Sequence, residues 1–410
     1  MSLALNRSAP SKLTLDPPPA GSFQSKQPST MAAAPPPSPL QMDVLIEEVL
    51  FRVPPEDPLT LVRAALIHKR WRRVIHDPVF RHRFRTFHRA APMLGVLCNS
   101  NYVTYKAQFI PICSFRPPHA IMSDTNVVDA RHGRVLLHTL SWGSGQRKPF
   151  AVWDPVKDEI REYLPETPRL PELPFSRYHR NDSASAAVLC GTANNNGGCD
   201  DHLHCCHDDG PFLVVFIGTF SKGMFVYTYS SRDGAWSQHV SSQQLDARFP
   251  DTVVPNLLLE NSLHFIVFND NHGAKILKYD LATRETSMIP TPPPTTTDFR
   301  GPRSIMLMTT GEGKLGFGST EEYWVYLWSR PQQATLEEAD VGWELIRVIE
   351  LPTVLPASLV GFANNGVNRT LFVRTTNGVY ALDLKSLRTR TISKNNGFFC
   401  VFPYMSFYPF

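Results

Sequence analysis

Residues 43–87 read D-V-L-I-E-E-V-L-F-R-V-P-P-E-D-P-L-T-L-V-R-A-A-L-I-H-K-R-W-R-R-V-I-H-D-P-V-F-R-H-R-F-R-T-F. Over 43–53 the apolar side chains recur every three to four positions, which is the spacing of one helix face. They are Leu45, Ile46, Val49, Leu50 and Val53. Two prolines follow at 54 and 55, and they predict the end of this helix because proline lacks the backbone donor that a continuing helix needs.

Two Asp-Pro pairs predict further helix starts in the same stretch. At Asp57-Pro58 and Asp77-Pro78 the carboxylate can accept hydrogen bonds from the free amides of a first turn, and proline fits the first helical position. Apolar residues at 59, 61, 62, 65 and 66 lie between the two pairs, followed by the run K-R-W-R-R at 69–73. Short helices are stable only when they pack on each other, so the sequence predicts a compact three-helix unit in residues 40–88.

This stretch resembles the F-box, the helical motif by which substrate receptors attach to a Skp-type adaptor of a cullin-RING ubiquitin ligase. The resemblance rests on three runs in order: D-x-L-x-x-E-V-L-x-R-V-P-P, V-R-A-A-L-I-H-K-R-W-R-R and D-P-x-F. Two places depart from the family pattern. Gln41-Met42 stand where a Leu-Pro pair usually opens the motif, and His68 stands in place of a small residue or Cys.

The resemblance implies that this unit docks on a Skp-type adaptor and, through it, on a cullin. The residues that we expect at the docking face are Leu45, Ile46, Val49, Leu50, Val53, Pro54, Leu61 and Val62. We expect Trp71 in the supporting core, because a tryptophan among cations can bury its ring while the charged groups reach outward. An alternative for the same stretch is the N-terminal helical cap of a larger domain.

From residue 95 to 410, short apolar runs are separated by Gly, Asn, Asp and Pro, which is typical of an all-β domain. The predicted strands are 134–140, 150–153, 212–217, 224–229, 263–268, 275–279, 323–328, 370–373 and 379–382. Asp154, Asp280 and Asp383 each end one strand and begin a turn to the next. An Asp side chain can bond turn amides, so we predict three copies of one hairpin, with a related hairpin at 229–236.

Recurring hairpins of this kind are typical of a β-propeller, in which each blade has four strands. This part of the chain resembles the F-box-associated, kelch-like β-propeller regions of plant receptor families. We therefore predict an α+β multidomain protein, with a three-helix F-box at 40–88 followed by an all-β, propeller-like substrate-binding domain at 95–410. A pair of β-sandwiches is the alternative, because the three Asp hairpins are irregularly spaced.

Composition limits the cellular locations that we expect for the protein. Residues 1–39 contain nine prolines and one acid, which predicts a disordered leader. The longest apolar runs, such as 212–220, are too short for a membrane-spanning helix, and the N-terminal residues do not have the pattern of a signal peptide. Seven cysteines in such a chain predict reduced thiols and a cytoplasmic or nuclear location.

The net charge of +4 is mild, but nine Lys and Arg residues share 63–89 with the single acid Asp77. A basic helical cluster of this kind favours an acidic protein partner or a solvated face. The cluster has no aromatic and basic groove, recognition helix or zinc module beside it. We therefore predict no nucleic-acid partner.

Two motifs have the residue types of cofactor sites in the wrong setting. The stretch 190–209 contains Cys199, His202, His204, Cys205, Cys206 and His207. It lacks the two separated pairs that close a tetrahedral zinc site, so we interpret it as an inter-strand loop and predict no metal and no cofactor. Residues 311–318 fit G-x-G-x-x-G, but strands flank them and no helix N-terminus follows, so we predict a hairpin turn.

These observations predict a non-enzymatic substrate-recognition subunit of a Skp–cullin–F-box ubiquitin ligase, with the target protein held by exposed loops of the β domain. The candidate loops are 141–148, 190–211, 290–303 and 329–342. Two alternatives stay open. One is an F-box scaffold or regulator that acts outside degradation, and the other is a metal-dependent propeller enzyme that uses the 190–209 cluster.

Overall fold

The computed structural model describes residues 43–100, 105–139, 150–165, 183–191, 210–220, 223–241, 247–250, 253–269, 273–293, 305–331, 342–351 and 357–407. The predicted leader at 1–39 lies outside them, as do 192–209 of the Cys/His stretch. In the described part, helices come first and strands follow. The helices are α1 (Asp43–Phe51), α2 (Pro58–Ile67), α3 (Lys69–His76) and α4 (Pro78–His88).

The sequence predicts three helices here and the described residues form four, so the three-helix prediction is wrong in number. The extra boundary is at His68, whose backbone is extended at φ −141° and ψ 128°. Its imidazole Nδ1 accepts a hydrogen bond from the Arg70 amide at 3.1 Å and so caps the start of α3. Asp77 caps α4 as predicted, with Oδ1 accepting from the Val79 amide at 2.9 Å.

The strands that follow form antiparallel hairpins. In chain order they are β1 (Met93–Ser100), β2 (Lys106–Pro111), β3 (Ile121–Ser123), β4 (Thr125–Arg131), β5 (Arg134–Thr139), β6 (Phe150–Asp154), β7 (Glu159–Tyr163), β8 (Ser183–Cys190), β9 (Phe212–Phe220), β10 (Gly223–Ser230), β11 (Ala235–Ser241), β12 (Leu257–Leu259), β13 (Ser262–Phe268), β14 (Ala274–Asp280), β15 (Thr286–Pro290), β16 (Ile305–Thr309), β17 (Leu315–Glu321), β18 (Trp324–Ser329), β19 (Glu344–Glu350), β20 (Ser358–Asn364), β21 (Arg369–Thr375), β22 (Gly378–Asp383), β23 (Thr389–Ser393) and β24 (Phe398–Met405).

These strands build a six-bladed β-propeller. Blade 1 has the order β24-β1-β2-β3, and blades 2 to 6 follow as β4–β7, β8–β11, β12–β15, β16–β19 and β20–β23. The first strands of the blades are neighbours around the centre, where β24 contacts both β20 and β4 and β4 contacts β8. The predicted propeller is confirmed, and the β-sandwich alternative is wrong because the sheets follow one another in a ring.

The ring is closed by the end of the chain. Strand β24 pairs antiparallel with β1, with Leu97 opposite Phe402. Blade 1 therefore contains strands from both ends of the propeller sequence. At the neighbouring blade 6, Gly361 permits a close approach, because a Cβ at this position would lie 2.2 Å from the Val401 carbonyl oxygen.

Each boundary between blades holds one apolar cluster. The six clusters pair blades 1 and 2, 2 and 3, 3 and 4, 4 and 5, 5 and 6, and 6 and 1. Phe150 of blade 2 and Phe216 of blade 3, for example, place their ring centroids 5.8 Å apart. Blade contacts of this kind account for the continuous apolar runs in the sequence, because both faces of a blade are covered.

The predicted Asp hairpins are confirmed as one repeated device. In each turn, Oδ1 of the Asp accepts hydrogen bonds from the amides two and three residues later. The residue four positions after the Asp has a positive φ of 54° to 61°. The amides belong to Val156 and Lys157 for Asp154, to Ala282 and Thr283 for Asp280, and to Lys385 and Ser386 for Asp383. The related hairpin in blade 3 has Ser230 in the Asp position and Gly234 at φ 62°.

The glycine-rich motif at 311–318 is the predicted hairpin. Residues 311–313 make the turn between β16 and β17, with the Gly313 amide donating to the Thr310 carbonyl at 3.2 Å. The rest of the motif continues into β17. Of the cysteines that the structure describes, Cys98, Cys113 and Cys400 are free thiols. No helix in the described ranges has the length and hydropathy to cross a membrane.

Candidate docking surface

The four helices share one hydrophobic core. Its buried members are Ile46, Leu50, Phe51, Leu61, Ala64, Val74, Ile75, Phe80, Phe84 and Phe407. Stacking of Phe51 on Phe80, with ring centroids 5.0 Å apart, holds α1 against α4. An ion pair between Glu47 Oε2 and Arg83 Nη1 at 2.6 Å closes the same contact on its solvent side. Trp71 is half-buried against this core, where the sequence predicts it.

Phe407 comes from the far end of the chain, two residues after β24. Its side chain is 3% exposed and makes an edge contact with Phe84, with the ring centroids 6.4 Å apart. The preceding Ser406 amide donates to the Pro92 carbonyl at 3.2 Å. The strand that closes the propeller ring therefore also completes the helical core.

Two other features accompany this junction between the helices and the propeller. The Ser114 hydroxyl lies 3.4 Å from Asp57 Oδ1 and links the β2–β3 connection to the start of α2. The Thr60 hydroxyl donates to the same carboxylate, and this hydrogen bond lowers the pKa of Asp57. Burial lowers the pKa of His88 at the end of α4. The neutral form of His88 is therefore favoured beside the Phe84 ring.

The eight predicted docking residues divide into inner and outer groups. Ile46, Leu50 and Leu61 are buried in the helical core, and Val53 and Val62 are half-buried. The outer group is exposed and consists of Leu45, Val49 and Pro54. Helical spacing identifies the apolar stripe of α1 but not which part of it α3 and α4 cover. The outer group has the largest surface open to another protein, and Val53 and Val62 have less.

The structure adds exposed apolar residues that the sequence analysis did not select. Leu66 and Ile67 at the end of α2 are 79% and 82% exposed, and Leu59 is exposed at its start. A signal for two of them is present in the sequence, because Leu59 and Leu66 are seven residues apart and so share a helix face. We call Leu45, Val49, Leu59, Leu66 and Ile67 the exposed apolar set.

Exposed apolar side chains are concentrated in the helical unit. Among the described residues, eight large apolar side chains are exposed in α1, α2 and α4 and another eight in the whole propeller. Single exposed apolar residues are common on protein surfaces, whereas a concentration of them marks an interaction site. Among the described residues, the helical unit thus has more exposed large apolar side chains for its length than the propeller has.

Most of the candidate metal ligands in the 190–209 stretch lie outside the described residues. Only Cys190 of the 190–209 stretch is a described ligand-type residue. Within the described ranges, no group of three or more His, Cys, Asp or Glu side chains is arranged to hold a metal ion.

Comparison with known proteins gives no family. No family model and no curated protein matches the chain. Among solved structures, the β-propeller domain of Myceliophteria thermophila Cps50 (Swd1) is 11% identical over 72% of this chain and 81% of its own, with a TM-score of 0.37. The SapL1 lectin in complex with alpha methyl fucoside is 9% identical over 74% and 96%, with a TM-score of 0.40.

A third structure, a DUF4784 family protein from Bacteroides caccae ATCC 43185, is 11% identical. The match covers 76% of this chain and 74% of that one, with a TM-score of 0.41. Likenesses at this level carry no argument about function. The propeller assignment rests on the order of the sheets.

Proposed function

We propose that this chain is a non-catalytic substrate-recognition subunit of a Skp–cullin–F-box ubiquitin ligase. The helical unit docks on a Skp-type adaptor, and the propeller holds a target protein. Catalysis in this proposal is by proximity, because holding the target near a recruited ubiquitin-conjugating enzyme raises its effective concentration. No side chain of this chain needs to make or break a bond.

The observation that carries the proposal is the exposed apolar set on α1 and α2. Fully covering a Leu, Ile or Val side chain stabilises a complex by about 1.5–3 kcal/mol. Leu66 and Ile67 alone, both more than three-quarters exposed, offer a sizeable gain to any partner that covers them. Leu66 and Ile67 lie in one of the runs that resemble the F-box, and this resemblance implies a Skp-type adaptor as the partner.

Attachment of the helical unit to the propeller also supports the proposal. Phe407 packs in the helical core while the strand before it closes blade 1. The effective concentration that a scaffold gives depends on the length and stiffness of the connection between its two binding regions. The shared core makes this connection without a flexible linker.

The test compares two exposed valines changed in the same way. Val49→Asp places a charge in the exposed apolar set, where Val49 is 54% exposed, and Val367→Asp does the same in a propeller turn, where Val367 is 68% exposed. We expect Val49→Asp to weaken binding of the full chain to a purified Skp-type adaptor at least about tenfold by calorimetry. Val367→Asp should bind like the parent.

Binding by a folded Val49→Asp, Leu66→Asp double variant at the parental affinity would remove this assignment. Leu50→Asp is unsuitable as a docking test, because Leu50 is buried and the variant would report on folding. Ubiquitin transfer separates the ligase subunit from the scaffold alternative. Proteins captured by the full chain should acquire ubiquitin in a reconstituted ligase reaction, and should not when the chain is Val49→Asp.

A further inference from the structure

One face of α3 is entirely basic. Lys69, Arg72, Arg73 and His76 are exposed, and their spacing of i, i+3, i+4 and i+7 places them on one side of the helix. The opposite side packs Val74 and Ile75 into the helical core. We call these four residues the basic face of α3.

The His76 ring nitrogen Nδ1 lies 2.8 Å from the Arg72 carbonyl oxygen, but the Lys and Arg side chains of this face form no ion pair within the described part of the chain. None of its ion pairs includes Lys69, Arg72 or Arg73. Helix α3 has no acidic residue in its first turn, where Lys69 lies instead. The helix dipole favours Arg73 and His76, which lie in the last turn, but it disfavours a cation in the first turn, so helix stability does not explain Lys69.

The basic face adjoins the exposed apolar set. Leu66 and Ile67 end α2, and only His68 separates them from Lys69. A surface that combines apolar side chains with unpaired cations is complementary to a protein surface that combines apolar groups with carboxylates. We infer that the partner of the helical unit presents an acidic surface to the basic face of α3 while it covers the exposed apolar set.

A protein fits this surface better than a nucleic acid does. Nucleic-acid sites pair cations with exposed aromatic rings or with groups that read base edges. The aromatic residue of α3, Trp71, is half-buried against the helical core. The exposed residues that precede the basic face in the chain are Leu66, Ile67 and His68, and the first two offer apolar contact and no hydrogen bond.

This inference rests on the proposed function, since it names the chemistry of the partner at the same site. Its signature is kinetic, because unpaired charges at the edge of an apolar contact steer association more than they slow dissociation. The experiment measures the association rate constant of the full chain with a purified Skp-type adaptor at about 50 mM and about 300 mM salt.

The test variant reverses three charges: Lys69→Glu, Arg72→Glu and Arg73→Glu. The matched control makes the same change in net charge on exposed propeller turns, with Arg232→Glu, Lys385→Glu and Arg388→Glu. At low salt we expect the test variant to associate about tenfold more slowly than the parent, and the control variant to stay within about twofold. A neutral version, Lys69→Gln, Arg72→Gln and Arg73→Gln, should fall between them and controls for misfolding by charge reversal.

The outcomes separate this inference from the proposed function. If the parent binds the adaptor and all three variants associate at the parental rate, the acidic partner surface is wrong and the docking proposal survives. If the parent does not bind the adaptor, both fail. Tight binding of a duplex DNA or RNA by the parent, lost in the Lys69→Glu, Arg72→Glu, Arg73→Glu variant, would also overturn the inference, since the basic face would then serve a nucleic acid.

Discussion

The helical unit and the propeller differ in how they bury their apolar side chains. In the propeller, each blade lies between two neighbours, and one apolar cluster fills each boundary. In the helical unit a single core serves all four helices, and the outer faces of α1 and α2 keep apolar side chains in contact with water. Among the described residues, the short helical unit therefore has as many exposed large apolar side chains, eight, as the much longer propeller.

The helical unit and the propeller also differ in what stabilises them. The propeller closes on itself, so its apolar faces are covered by its own chain. The helical unit depends on a residue from the propeller end, Phe407, for part of its core. This contrast predicts that the helices respond to changes in the ring, while most changes in the helices leave the ring intact.

Of the changes considered, the removal of the Phe407 side chain should have the largest effect on the stability of the helices relative to the propeller. Phe407→Ala deletes a buried ring and leaves a cavity against Phe84, which costs about 3–5 kcal/mol for a buried phenylalanine. Because the propeller boundaries keep their own clusters, we expect the loss to fall on the helices. Hydrogen exchange should speed up in α1–α4 and stay slow in β1–β24.

The matched control is Phe87→Ala. Phe87 stacks on Phe51 with ring centroids 6.0 Å apart, but it is exposed, so the loss should be about 1 kcal/mol or less. Equal exchange in the helices of the two variants, or a loss of protection throughout the propeller in Phe407→Ala, would show that the two regions are not coupled as described.

Acid should destabilise the propeller through two buried histidines. Burial lowers the pKa of His138 and of His264 to about 4, against an ordinary value of 6.5. The folded chain therefore holds both imidazoles neutral, and the unfolded chain takes up the protons first. Stability is full above about pH 6.5 and falls as the pH drops toward 4, by about 2 kcal/mol per histidine at pH 5.

Denaturant unfolding at pH 7 and pH 5 checks this effect. His264→Gln removes one titrating group, so the difference between the two pH values should shrink by about 2 kcal/mol. A parental chain equally stable at both pH values would contradict the buried neutral state of these residues.

The smallest effect is expected at the outer rim of the propeller. Asp280 accepts hydrogen bonds from the Ala282 and Thr283 amides at 2.9 Å each, and these bonds lower its pKa. Asp280→Ala should cost about 1 kcal/mol in thermal unfolding, since the turn amides lose their partner. In the blade 3 hairpin Ser230 has that position, so Asp233→Ala should be near neutral. A larger loss at Asp233 than at Asp280 would invalidate the shared-turn description.

Local features were predictable from the sequence, because their partners are close along the chain. The Asp hairpins need only a carboxylate and amides two and three residues later, and the Asp77 cap needs only the next turn of α4. The boundary at His68 was not predictable in this way. A histidine is a weak cap signal, and the apolar pattern continues across it.

Long-range features were beyond sequence reasoning. Blade number and ring closure depend on the pairing of β1 with β24, and the helical core depends on the contact between Phe84 and Phe407. No periodicity connects residues so far apart. The candidate docking surface was predictable in its location and partly in its residues. Spacing marked the apolar stripe of α1, but the packing of α3 and α4 decides that Val49 is outside and Leu50 inside.

The pairing of β24 with β1 has a consequence for how the protein is made. Helices α1–α4 leave the ribosome first, yet their core needs a ring from residue 407. Until that residue emerges, the helices lack part of their interior and blade 1 lacks its innermost strand. A chain translated only part of the way to Phe407 therefore has four helices without a complete hydrophobic core.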